Sequence, residues 1–302
     1  ILLNYIIRRH ADNRGDMEIA NENNTSKSDD LSNIELRRQL SDPRNFSRFG
    51  IVVLENFLSK KIAKDTKEYV IEIFRGNYKS GLVPDKVKYS KNSSGEEYIH
   101  SVVNGWKSDP RLKSVYQGLH LLSIINRLTG WDKIKLNQDS MFNVLPRSYG
   151  TTSFHQDNAY QNWHTSRGGI VTAWIALSVI DSTSGGIEYL LGSHLVNSPL
   201  QRLTGDFIGS KDEPYAELIK KFGTDWREKF ILFRPELMPG DVVIHHGALW
   251  HGSSPNKSDS SRVSLSIHIM DGKAVFSKKD INPFFNRFKL DHTSQMHSSF
   301  FP

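Results

Sequence analysis

The sequence predicts a mainly β protein with flanking helices, built as an antiparallel double-sheet roll. Three observations carry this expectation. After Lys133 the chain becomes a series of short apolar segments separated by Gly, Ser, Asn and Pro, the punctuation of an antiparallel β region. Before Lys133, longer stretches place apolar residues at helical spacing. The chain of 302 residues, 37% hydrophobic and 24% charged, has the composition of a globular protein and no apolar run of the length a membrane span requires. Rolls with helical additions reach this size as one domain.

Each element has its own warrant. Residues 1–30 are polar, Asn/Ser/Asp-rich and without sustained periodicity, which predicts a disordered or processed segment. Met17 is a candidate natural start within it, and residues 1–16 a leader or transit segment. The apolar opening, residues 1–7, is too short for an anchor and runs into Arg8 and Arg9 without the features of a secretory signal. A cytoplasmic location is expected, with organellar targeting by this segment as the alternative. A single domain is then expected over 31–302. Residues 34–40 have a helical pattern, and residues 49–54 are β-branched enough for a strand. Ser59 can cap an amphipathic helix through Ile62, Tyr69, Val70, Ile73 and Phe74. Residues 78–95, rich in Lys, Ser and Gly, are expected as a surface loop near the site. Residues 112–128 carry Val115, Leu119, Leu122, Ile125 and Leu128 on one helical face, with Gly130 as a stop. Strands are expected at 136–145, 152–156, 170–179, 187–190, 230–233, 242–245 and 262–270. A charged insertion with helical character covers about 195–229. From Phe276 an aromatic-rich tail follows, in which Phe284, Phe285 and Arg287 either close a pocket or cap a core.

Composition narrows the chemistry. With no cysteine, disulfides, zinc-thiolate sites and thiol catalysis are excluded. The net charge of +6 comes from Lys and Arg scattered among Asp and Glu rather than from a basic block, so no nucleic-acid partner is expected, and an anionic small molecule would suit the excess. No membrane partner is expected either.

The candidate site consists of His155 and Asp157 in SFHQDNAY, His251 in ALWHGSSPN, and Arg262 in SSRVSLSIHIM. Two imidazoles and a carboxylate can occupy one face of an octahedral ferrous ion, leaving three positions for a bidentate co-substrate and dioxygen. An arginine downstream can grip the far carboxylate of that co-substrate through two charge-assisted hydrogen bonds, which a lysine cannot match. A His-x-Asp triplet is expected about once by chance in such a chain. His10-Ala11-Asp12 is such a coincidence, with no apolar strand around it. The second triplet differs because apolar strands precede both it and His251. His245 and His246 are expected as non-ligands, the triad being complete, and Trp250 as a core residue facing away from the metal by strand alternation.

These residues carry a resemblance. From about Phe49 to Gly272 the sequence resembles the phytanoyl-CoA dioxygenase family of iron(II)/2-oxoglutarate oxygenases, through FGIVVLENFLS, HQDNAY, TAWIAL, GSH, GDV and HGSSPN in order. The resemblance implies a double-stranded β-helix, a cupin-like jelly roll with the metal between its sheets. It implies His155, Asp157 and His251 as catalytic iron ligands and Arg262, eleven positions past His251, as the 2-oxoglutarate clamp. Ser253 would add a hydrogen bond to the same carboxylate, Asn143 an amide contact to 2-oxoglutarate, and Trp174 a wall beside it. Leu145 departs from the lysine that many members carry there. Fe(II), 2-oxoglutarate and O2 are the implied cofactor and co-substrates, with succinate and CO2 as products. An intact carboxylate at Asp157 argues against halogenation. Asn158, Tyr160 and Trp163, with His164, follow the metal motif and are expected to contact substrate from a lip over the site.

The implied reaction is C–H oxidation of a small molecule, by hydroxylation, desaturation or oxidative cyclisation, in natural-product or amino-acid-derived metabolism. Two alternatives stay open at this point. One is a nucleic-acid or protein demethylase of the same superfamily, disfavoured because His268 replaces the second arginine of that class. The other is a jelly-roll binding module without catalysis.

Overall fold

The computed structural model describes residues 25–160, 163–164, 169–196 and 215–276. Among the described residues the first element is α1, Thr25–Leu40, which starts before Leu31, where order was expected. A short α2, Phe46–Phe49, leads into β1, Ile51–Leu54. In α3, Lys60–Phe74, the Ser59 side chain accepts a hydrogen bond from the Ile62 amide, and Ala63, Thr66, Val70, Ile73 and Phe74 form the buried stripe.

Residues 78–95 are not all loop. They contain β2, Lys86–Lys91, which pairs with β3, Glu97–Val103, through a turn in which the Asn92 side chain accepts from the Ser94 and Glu96 amides. The lysines that read as loop are those of an edge strand, where charge discourages pairing with another chain. The expected helix over 112–128 is two helices, α4, Pro110–Gly118, and α5, Leu121–Thr129. His120 separates them in the left-handed conformation, φ 49°, and the break lets each helix aim its own apolar residues, Leu112 and Tyr116 or Leu121 and Ile125, into the core. Gly130 ends α5 with φ 73°, as expected.

The β region has two main sheets and a separate two-stranded ladder. Its strands are β4, Ile134–Val144; β5, Thr152–His155; β6, Trp163–His164; β7, Ile170–Ala176; β8, Ile187–Leu190; β9, Leu232–Phe233; β10, Val242–His246; β11, His251–Ser253; β12, Arg262–Asp271; and β13, Val275–Phe276. The described part of the insertion holds α6, Ala216–Phe222, and α7, Trp226–Lys229. Seven strands form the large sheet in the order β1-β10-β7-β12-β4-β3-β2, and four form the small one, β5-β11-β8-β9. All pairings are antiparallel, and the β13-β6 ladder brings the end of the described chain back to the segment after the metal motif. This is a double-stranded β-helix, with the strand order of a jelly roll.

The two faces of the large sheet differ in composition. Val263, Leu265, Ile267 and Ile269 of β12 point outward into the core beneath α3, α4 and α5, together with Val171, Ala173 and Ile175 of β7. Fully burying each Val, Leu or Ile side chain contributes about 1.5–3 kcal/mol. The alternate residues face the space between the sheets. Behind the small sheet, Phe154, Leu190 and Trp250 pack against Leu218 of α6 and Trp226 of α7. Trp250 therefore faces away from the site. Gly240 turns the chain into β10 with φ 102°, where a Cβ would lie 2.6 Å from the Leu58 carbonyl oxygen. Among the described residues, no helix is long and apolar enough to cross a membrane. Phe284, Phe285 and Arg287 lie outside the described residues.

Candidate active site

β5 delivers His155 to the space between the sheets, and its neighbour β11 places His251 directly opposite in register. The chain then enters a 3-10 turn, Asp157–Tyr160. Two clamps fix this turn to the loop joining β10 and β11: the Gln156 side chain donates to the Ala248 carbonyl at 2.6 Å, and the Asn158 amide donates to the Gly247 carbonyl at 2.8 Å. Asp157 is thereby held against both histidines.

Both imidazoles are oriented alike. His155 Nδ1 lies 2.8 Å from the Ser153 carbonyl and His251 Nδ1 2.9 Å from that of Leu249, so Nδ1 carries the proton and Nε2 turns its lone pair inward. Each Nε2 stands 3.6 Å from Asp157 Oδ1, and one ligand atom from each residue lies within 4.8 Å of the others. Burial, reinforced by the nearby His155, pushes His251 well below its ordinary value and keeps it neutral, as a metal ligand must be. Burial works to raise the Asp157 carboxyl, but His251, His268, His155 and His245 outweigh it and hold it well below the usual carboxylate range. Two neutral imidazoles and one carboxylate on a closed face are the donor set that suits ferrous iron.

The other carboxylate oxygen, Asp157 Oδ2, has partners of its own. It accepts from the Thr172 hydroxyl at 2.7 Å and from His245 Nε2 at 3.1 Å. His268 Nδ1 lies 3.0 Å from the Thr172 oxygen, and the Tyr189 hydroxyl 3.2 Å from His245 Nδ1. Neither His245 nor His268 belongs to the three-residue cluster that could hold a metal.

The triad shares a cavity of about 330 Å³ with Arg262, Ser253, Trp174 and Tyr160. Arg262 is buried, and its Nη2 donates to the Ser253 hydroxyl at 3.3 Å. Its Nε and Nη1 are buried without a protein partner. Burial lowers the guanidinium to about 10, and Glu188 opposes the shift. An unpaired buried guanidinium is costly unless a ligand anion completes it, so the chemistry of the inner end of the cavity suits a carboxylate.

Other expected contacts are placed differently. Asn143 is paired with Val263 and lies on the face of β4 opposite Phe142 and Val144, which line the cavity, so the structure does not bring it to the pocket. A shift of one residue along a strand reverses the face. Asn158 is likewise absent from the cavity wall, because its side chain accepts from the Ile170 amide at 2.9 Å and sits where Gly169 and Gly247 leave room for it. Tyr160 does line the cavity, edge-on to His155 at 6.2 Å between ring centroids. Trp163 and His164 form β6, whose backbone pairs with β13, and their side chains lie outside the description. Thr172 and Tyr189 were not singled out from sequence; His245 was expected only as a non-ligand, which agrees with its place outside the three-residue cluster, and His268 only as the replacement of an arginine, so their contacts around Asp157 are what the structure adds. Alternation could have pointed to Thr172 and His268, since Thr172 shares a phase with Trp174, and His268 with Arg262.

The comparisons with known proteins agree with this geometry. Residues 46–264 match the family model described as Phytanoyl-CoA dioxygenase (PhyH). Among curated proteins, "Phytanoyl-CoA dioxygenase, peroxisomal" of Bos taurus is 29% identical over 247 residues, covering 78% of this chain and 70% of its own length. "Phytanoyl-CoA dioxygenase domain-containing protein 1 homolog" of Caenorhabditis briggsae is 25% identical over 190 residues, 57% of this chain, and the chain spans 63% of that protein, less than two thirds. Among solved structures, the non-heme alpha ketoglutarate dependent carbocyclase SnoK from nogalamycin biosynthesis superposes with a TM-score of 0.65 at 21% identity, over 82% of this chain and 88% of that one. At that identity the likeness is one of fold.

Proposed function

The chain belongs to the phytanoyl-CoA dioxygenase (PhyH) family, and from that membership and the site geometry we propose that it is an Fe(II)/2-oxoglutarate-dependent oxygenase acting on a C–H bond of a small molecule. The observation that carries the reading is one cavity holding both a three-ligand cluster and a buried arginine with two unpartnered N–H donors. His155, Asp157 and His251 would hold the metal, and Arg262 with Ser253 would receive the far carboxylate of 2-oxoglutarate. Bound iron supplies the redox chemistry that couples decarboxylation of 2-oxoglutarate, giving succinate and CO2, to oxidation of the substrate. The protein's part is to orient both organic molecules and to keep water out, with Trp174 and Ile187 as apolar walls of the same cavity.

Substrate class follows from the far rim. Lys86 and Lys88, on the same face of edge strand β2, line the cavity three strands from β12, roughly 14 Å away by strand spacing. Ser101, Ser140 and Gln138 lie on the floor between. The lysines favour a substrate with an anionic group, with which the overall charge of +6 agrees, while Ile99, Phe142 and Val144 of the same wall suit an apolar body. A small-molecule substrate from natural-product or amino-acid-derived metabolism fits the carbocyclase whose fold the chain shares. The demethylase alternative loses support because His268, in place of a second arginine, is engaged with Thr172.

The test is direct. Purified chain supplied with Fe(II), O2 and 2-oxoglutarate is expected to form succinate, and candidate anionic metabolites that are true substrates should gain one oxygen or lose two hydrogens by mass spectrometry. No succinate under any of these conditions would leave a binding module as the better reading.

A further inference from the structure

We infer that Thr172, His268, His245 and Tyr189 are positioning residues for Asp157, arranged so that it offers the metal one oxygen, Oδ1, and not both. This rests on the oxygenase reading above. The proton inventory supports it. A hydroxyl has one proton, and at 2.7 Å from a carboxylate Thr172 donates that proton to Asp157 Oδ2. His268 Nδ1, 3.0 Å from the Thr172 oxygen, must then be the donor to it. On the other side, His245 Nε2 meets the same Oδ2 at 3.1 Å and has to carry a proton, because a lone pair there would face an anion. Its Nδ1 is then the acceptor for the Tyr189 hydroxyl at 3.2 Å. Two relays converge on one oxygen, and each terminal donor is oriented by a second residue.

The four residues come from β7, β12, β10 and β8, so both sheets contribute. All four are buried, Tyr189 fully and Thr172 and His245 to within 1%. Ordinary satisfaction of buried polar groups does not account for the pattern. The positions flanking Thr172 on β7 and His268 on β12 are apolar, Val171, Ala173, Ile267 and Ile269, and an apolar residue at Thr172 or His268 would likewise have avoided the need for a partner. Instead the polar side chains are gathered on the other carboxylate oxygen, Oδ2. With Oδ2 so occupied, the carboxylate cannot swing to chelate through both oxygens, which would take one of the positions that the co-substrate and dioxygen need.

Co(II), added to the full chain, is the probe, because its visible absorption reports coordination number without turnover. Thr172→Val removes the hydroxyl at nearly constant shape and is expected to weaken Co(II) binding by about 10-fold to 100-fold, measured by chelator competition, and to change the bound-metal spectrum. Tyr189→Phe should shift both in the same direction to a smaller extent, and Thr172→Ser should restore both. Should Thr172→Val fail to fold, Tyr189→Phe, which keeps the ring and its packing, decides the matter. Variants that fold by circular dichroism yet bind Co(II) within about twofold of the wild type, with unchanged spectra, overturn the inference and leave the oxygenase reading intact. A wild-type chain that binds no Co(II) would sink both.

Discussion

Strand β12 is buried along its whole length, yet its two faces have nothing in common. Outward stand Val263, Leu265, Ile267 and Ile269, and inward stand Arg262, Ser264, Ser266 and His268. Burial alone would make both apolar. The outer face of β12 obeys that rule because it packs against apolar side chains of the helices, Leu112 of α4 and Leu121 and Ile125 of α5 among them. The inner face breaks it, and every break needs a partner from the protein or from a ligand. Where those partners are side chains, as for His268, the polar residue serves the metal site's geometry. Where they are missing, as for Arg262 Nε and Nη1, the proposed 2-oxoglutarate carboxylate would supply them. Depth of burial therefore does not separate structural from functional residues here, and strand phase does.

The largest effect that tests this contrast is on the inner face. Asp157→Ala is expected to reduce succinate formation from 2-oxoglutarate to background, while the circular dichroism spectrum stays native. Measurable turnover in a folded variant would place the reaction elsewhere. On the outer face the order of effects reverses. Leu265→Ala leaves a cavity beneath the helices and should cost about 2–5 kcal/mol in urea unfolding, with turnover per folded molecule unchanged. A fall in turnover without a fall in stability would show that the two faces are not separable.

Phase also explains what could be read from sequence. The triad and Arg262 were legible because their spacing and the apolar strands before them are local features. The double-sheet roll was legible in the strands after Lys133. The β2–β3 hairpin was not, since Lys86, Lys88 and Lys91 mask an alternation that only the edge position explains. Nor was the break at His120, whose left-handed backbone has no signature in the apolar spacing of residues 112–128. Thr172 and Tyr189 escaped notice, and His245 was read only as a non-ligand, because their meaning depends on Asp157, which lies on another strand connection. Asn143 was placed at the pocket by resemblance, and strand alternation sends it to the other side.

Arg262 offers a subtler discrimination. Its guanidinium is buried with two donors unmet, so Arg262→Met removes an uncompensated charge while keeping much of the volume. Stability should hold or rise in urea or thermal unfolding. Use of 2-oxoglutarate should suffer instead, with KM raised by about 10-fold to 100-fold, as expected for losing charge-assisted hydrogen bonds of about 1.5–3 kcal/mol each. Loss of stability with unaltered KM would make Arg262 a member of the structural face. The two parameters must move apart for the comparison to stand.

The smallest expected effect concerns two adjacent residues of β10 that point in opposite directions. His245 faces Asp157, whereas His246 faces outward beside Phe46 and His194, with ring centroids 6.4 and 5.1 Å away. Burial, aided by His194 and His245, lowers His246 to about 4, from an ordinary value of 6.5. The folded state thus resists a proton that the unfolded chain accepts, so stability is full above about pH 6.5 and declines as the pH falls toward 4. The loss attributable to this group is on the order of 2 kcal/mol after discounting for its partial exposure. His246→Asn keeps an acceptor for the Ala248 amide, which now donates to His246 Nδ1 at 3.1 Å, and removes the titration. Urea unfolding between pH 4 and 7 should accordingly be flatter for the variant than for the wild type, with succinate formation at pH 7 unaltered. An identical pH profile would mean that His246 contributes nothing to acid stability and that other groups, the inner histidines among them, set it.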